Sequence, residues 1–161
     1  MEFKTLLSVT LILFSVIDII GSLPVIIALK EKGNKIEAGK ASFISMFLMI
    51  VFLYIGDQVL KLFGVDVQSF AVAGAIILFF ISFEMILGIT IFKEEKKTQK
   101  ATIVPVAFPL VAGAGTMTTI LSLKAKFTNI EILLAIIINV ILVYITLRSS
   151  DYLKQKLSPS F

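Results

Sequence analysis

The chain alternates between long apolar runs and short polar connectors. Five runs stand out: Leu6–Leu29, Ala41–Gly56, Ser69–Phe92, Thr102–Leu123 and Ile130–Leu147. About 20 helical residues, rising about 1.5 Å each, cross a hydrocarbon core, so runs of this length predict membrane-spanning helices. The second run is short, which predicts a thin or partly buried crossing. The connectors at 30–40, 57–68, 93–101 and 124–129 are too short to hold a soluble domain. The expected architecture is therefore all-α: a single integral membrane domain over 1–161, built as a polytopic helical bundle of five spans.

Polar positions inside the runs carry the functional signal. Asp18 sits in the first run and Glu84 in the third. A carboxylate at membrane depth is costly unless it has a polar partner, a proton or water. Asp18 thus reads either as a proton, cation or amine site, or as a neutral acid bonded to a neighbouring helix. Glu84 divides between a secondary proton site and a packing hydrogen bond. Asn139, near the centre of the fifth run, reads as a tie between helices. The Ala71–Ala75 stretch, which includes Gly74, reads as a close-packing face.

Composition strengthens the membrane reading and removes other classes. The chain is 58% hydrophobic, with a mean hydropathy of +1.02, more apolar surface than a soluble domain of 161 residues can hide. It has no cysteine and no histidine. Disulfide and thiol chemistry are excluded, and so are the usual general base and the commonest metal ligand. The sequence shows no metal cluster, no Walker A pattern and no serine–histidine pair, so no enzyme, metal or cofactor is expected. The net charge of +4 does not imply nucleic acid, because the lysines lie between the runs, where they read as solvated ends facing anionic lipid. Lys4 alone precedes the first run and Asp18 interrupts it, so that run reads as a retained span and not a signal peptide.

Charge also predicts orientation. Lysine and arginine number eleven in the 30–40 and 93–101 loops and the C-terminal tail, against four at Lys4, Lys61, Lys124 and Lys126. The positive-inside rule puts the first group in the cytoplasm, the N-terminus outside, and the protein in the inner or plasma membrane.

A weak repeat underlies the runs. Gly21, Ser22 and Pro24 interrupt the first; Pro105, Pro109, Gly113 and Gly115 interrupt the fourth. Gly21 and Gly113 are 92 positions apart, and adding 92 to the second run reaches the fifth. Adding it to the third passes residue 161. A repeat of three spans must invert, so the pattern is an inverted three-helix repeat with its last helix missing. Inverted repeats with broken helices mark transporters. At the fourth-run break, an unwound turn around Pro109, Gly113 and Gly115 would present half-helix amides to an anion, and Thr116, Thr118 and Thr119 offer hydroxyls. The competing reading is a small-residue packing face.

Two motifs carry a family resemblance. DIIGSLPVI (18–26) resembles the first-span signature of the MarC family of bacterial and archaeal membrane proteins, and AFPLVAGAGTMTTIL (107–121) resembles its fourth-span signature. FEMILG (83–88) is similar to the end of its third span. Ile19 and Ala114 stand where the family has proline, and Glu84 where aspartate is commoner. The resemblance covers essentially the whole chain. It implies a six-helix protein related to LysE-type exporters, some members being described as transporters of glycine and alanine. The expected function is secondary transport of a small neutral amino acid or similar solute, coupled to a proton or sodium. Asp18, Gly21, Pro24, Glu84, Pro109, Gly113, Gly115 and Thr116 are the expected site. The competing expectation is a non-transporting or truncated protein that packs against partner helices. Expected partners are lipid and solute; the oligomeric state is left open.

Overall fold

On the first helix Val9, Leu13 and Ile17 are buried while Phe3, Leu7 and Leu11 are exposed. Both sets recur every four residues, so one helical face meets protein and the other faces outward. That outward face is mostly apolar, which suits lipid and not water. A computed structural model describes residues 3–31, 33, 35–87 and 102–157; at 78, 81, 82, 84–86, 102–105 and 151–157 it describes the backbone course alone. The described residues form helices and no strands: α1 (Phe3–Ile17), α2 (Leu23–Glu31), α3 (Ala38–Leu62), α4 (Val67–Leu87), a π-helical segment (Thr102–Val111), α5 (Ala114–Leu123) and α6 (Asn129–Leu157).

Two of these, α3 over Ala38–Leu62 and α6 over Asn129–Ser150, are long and apolar enough to cross a membrane unbroken. The first and fourth runs instead divide into halves. α1 and α2 have 15 and 9 residues, against 25 in α3. The expectation of a short second crossing over 41–56 is corrected: α3 has 25 residues. Gly56 does not end it, because its place is a packing contact, where an added Cβ would lie 3.1 Å from Leu121. The helix stops at Gly64, with φ +65, a left-handed conformation that side chains disfavour. Gly64 N–H donates to Lys61 O and Val65 N–H to Leu60 O, the paired closure that ends helices at such a glycine. Residues 57–62, expected as loop, are thus helical.

The packing pairs each broken crossing with one long helix. α6 packs against α1 and α2, and α3 packs against the π segment and α5. Each broken crossing therefore lies on the long helix of the other repeat, while α3 and α6 pack on each other. Polar ties recur at matching places. Ser45 Oγ on α3 donates to Ala107 O at 3.3 Å, and Asn139 Nδ2 on α6 donates to Thr10 O at 3.1 Å. Ser45 and Asn139 are 94 positions apart. α4 packs on α5 and the π segment and has no counterpart among the described residues. Gly74 makes this contact possible, since an added Cβ would overlap the Ala114 Cβ. Phe52 stacks on Phe70, ring centroids 5.5 Å apart, and joins α4 to α3.

Candidate functional site

The first break begins where Asp18 leaves the helix. Its N–H still donates to Phe14 O, but its φ is +43. Aspartate tolerates this region better than most residues because its side chain can bond locally. Here Gly21 N–H donates to Asp18 Oδ1 at 3.1 Å, so the carboxylate fastens its own turn. Gly21 is required by that arrangement: a Cβ would overlap the Asp18 carboxylate. The helix resumes at Leu23. Pro24 lies in the first turn of α2, where a missing N–H costs nothing because that donor has no intrahelical partner. Pro24 therefore starts a half-helix and does not kink a continuous one. Asp18, Gly21 and Pro24 are all exposed at the protein surface.

The second break follows the π segment, whose wide turn ends with Ala112 N–H donating to Ala107 O across five residues. Pro105 and Pro109 supply no N–H, which weakens the regular four-residue ladder there. Gly113 caps α5 in an extended conformation, φ −83 and ψ 176, open to any residue. What demands glycine is space: a Cβ would overlap the Pro109 carbonyl oxygen. Pro109, Gly113 and Thr116 are buried, whereas Gly115 is exposed. The Thr116 hydroxyl donates to Val111 O at 2.9 Å, and that of Thr118 to Gly115 O at 3.0 Å. Thr116 thus closes the break and Thr118 bonds within its own helix, where the sequence offered both as ligands.

The two breaks meet side by side. α1 packs on α5, and a Cβ added at Gly115 would lie 3.7 Å from Val16 Cγ1. The C-terminal end of α1 therefore lies beside the N-terminal end of α5. Helix dipoles make these ends unlike: carbonyls and the Asp18 carboxylate at the first, amides at the second. Glu84 is not gathered with them. It lies on α4 ten residues past Gly74, about 15 Å along the axis from the Ala114 contact; its side chain lies outside the described residues.

Sequence reasoning missed the polar contacts at the bundle ends. Lys124 Nζ donates to Asp57 Oδ2 at 2.8 Å. Lys30, at 8% exposure, donates to Ser150 Oγ at 2.8 Å, and Ser150 Oγ donates to Leu147 O. Both lysines were expected as solvated loop ends. Their signal was position: each sits at the end of a half-helix.

Outside the spans, Asp66 accepts from the Ser69 hydroxyl at 2.6 Å and the Ser69 N–H at 2.8 Å, capping α4. These bonds, the hydroxyl first, hold its carboxyl below the ordinary value of 3.8.

Comparison with known proteins finds integral membrane proteins. A family model described as MarC family integral membrane protein matches residues 3–160. The chain is similar to the UPF0056 membrane protein YvbG of Bacillus subtilis, 30% identical over 153 residues, covering 87% of this chain and 72% of that protein. It is also 30% identical over 154 residues to a UPF0056 membrane protein of Methanocaldococcus jannaschii, covering 86% of this chain and 75% of the relative. A UPF0056 membrane protein of Pyrococcus abyssi is 29% identical over 154 residues, covering 90% and 76%. No solved structure matches.

Proposed function

Because the chain belongs to the MarC family of integral membrane proteins, we propose that it is a secondary transporter of small zwitterionic solutes, neutral amino acids first among them. The observation that carries this reading is the meeting of the two breaks, with Val16 against Gly115. A zwitterion has an ammonium and a carboxylate close together. The end of α1, with Asp18, favours the ammonium; the first amides of α5 favour the carboxylate. Breaks of this kind inside an inverted repeat are where transporters bind their cargo. Asp18 would also accept a coupling proton. The N-terminus is proposed to lie outside and the 30–40 loop in the cytoplasm, on the lysine distribution.

A second reading has an observation of its own. Asp18 already serves its own turn through Gly21 N–H, so its presence is accounted for by local structure. On that reading the chain is a packing partner for other helices and carries nothing.

Calorimetry in detergent separates the two. Alanine should bind more tightly than ethylamine, which lacks the carboxylate, and more tightly than propionate, which lacks the ammonium. Equal affinity for alanine and ethylamine removes the carboxylate role of α5. Binding of none of the three favours the second reading.

A further inference from the structure

The four most exposed large apolar side chains among the described residues are Leu62, Phe3, Phe63 and Ile130, at 82%, 78%, 74% and 67%. All four stand at one end of the bundle. Thr10 O meets Asn139 and Lys30 meets Ser150, so the first crossing runs beside α6 in the same direction. Phe3 therefore lies toward the start of α6, where Ile130 is. The α3–α4 turn reaches this end too, because Asp57 meets Lys124, just before α6 begins. At the opposite end Glu31, Lys40 and Arg148 are exposed.

Helix length decides whether this apolar rim meets water or lipid. Lys40 and Lys61 bracket α3 and are 21 positions apart, about 31 Å of helix. On α6, Ile130 and Arg148 are 18 positions apart, about 27 Å. A hydrocarbon core is about 30 Å thick, with a polar layer of about 5–7 Å on each side. With Lys40 and Arg148 at one boundary, Lys61 and Ile130 fall at the other. Leu62, Phe63 and Val65 then lie within the polar layer and not beyond it. Gly64, with φ +65, folds the chain back at once, and the Asp66 cap starts α4, so the turn rises no further.

The surroundings fit lipid. The rim continues an outward face that is apolar along the helices, with Leu7 and Leu11 past Phe3 on α1 and Tyr54 and Ile55 before Leu62 on α3. Lys61 is exposed beside the turn, and a lysine can lay its stem on apolar surface while its ammonium meets headgroup phosphate. Tryptophan and tyrosine usually fill this layer. The chain has no tryptophan, and the exposed aromatic residues at this rim are Phe3 and Phe63.

We propose that the α3–α4 turn is an interfacial anchor, with Leu62, Phe63 and Val65 inserted into the lipid leaflet on their own side, level with Phe3 and Ile130. Its partner is the bilayer. The 57–68 segment, which reads as a polar connector, thus holds its end of the bundle at the membrane surface. The anchor is independent of what the protein carries.

The absence of tryptophan supplies the test. Phe63→Trp and Leu62→Trp each put a single fluorophore in the turn, and Tyr54→Trp puts one about 13 Å further along α3. Each variant is reconstituted into phosphatidylcholine–phosphatidylglycerol vesicles brominated either near the top or near the end of the acyl chains. Both turn reporters should emit to the blue of free tryptophan, lose most of their emission to the shallow bromine and lose little to aqueous iodide. Tyr54→Trp should be quenched most by the deep bromine. Turn reporters that emit like free tryptophan, and are quenched by iodide and not by bromine, would put the turn in water and overturn the anchor. Shielding of both from either quencher would mean that protein covers the turn, which overturns it equally.

Discussion

Gly74→Ala tests how tightly α4 is set against the second break. A Cβ at position 74 would overlap the Ala114 Cβ and lie 3.3 Å from Ala114 Cα, where carbon contacts are ordinarily about 3.5–4.0 Å. A backbone atom cannot rotate aside, so α4 must move off α5. Overpacking of this kind costs about 1–3 kcal/mol. Alanine returns about 1 kcal/mol over glycine within a helix. Mid-range values leave a net loss of about 1 kcal/mol. Ala114→Gly alone removes a buried methyl, a loss of about 1 kcal/mol. Together the two substitutions exchange the methyl across the interface and remove the overlap. The pair should therefore be more stable than the sum of the single losses by about 1–3 kcal/mol. Reversible unfolding in mixed micelles of rising SDS fraction measures each variant. Additive losses would refute the close approach of α4 and α5.

Four further outcomes follow from the geometry. Gly115→Ala should keep full stability, since its Cβ meets Val16 at an ordinary 3.7 Å, whereas Gly115→Leu should crowd the meeting of the two breaks and abolish alanine binding in calorimetry with the thermal midpoint held. Asn139→Leu should destabilise the bundle by about 1–2 kcal/mol in the same micelle assay, through loss of its bond to Thr10 O. Asp66 has a folded pKa below its unfolded value, so its cap on α4 is fully present above about pH 4 and lost as pH falls through the folded value; hydrogen exchange at Ser69 should rise in that acid window, and Asp66→Asn should flatten the dependence. Thr98→Cys should resist impermeant reagent outside intact cells, as the lysine distribution requires.

The breaks were legible because their chemistry is local. Asp18, Gly21 and Pro24 announce a turn followed by a helix start, and the prolines before Gly113 announce a weakened ladder. The offset of 92 between the glycines pointed to the two broken crossings. What lay beyond reach depended on neighbours distant in sequence. Gly56–Asp57 reads as the end of a span, yet Gly56 is fixed by its contact with Leu121 and Asp57 by Lys124. The Thr116 hydroxyl reads as a free ligand until Val111 O is seen to take it. Gly74 reads as a mild packing position until Ala114 is seen against it. Lys30 reads as a solvated end until Ser150 is brought to it from 120 positions away.

Uptake of alanine into proteoliposomes, with and without a pH gradient, tests the transport account most directly when parent and Asp18→Asn protein are compared. The amide keeps the shape and can still accept from Gly21 N–H, so the fold should survive while charge and proton are lost. The account predicts saturable uptake by the parent and none by the variant. Equal uptake by both would return Asp18 to a purely structural role, and no uptake by a folded, correctly inserted parent would contradict transport itself.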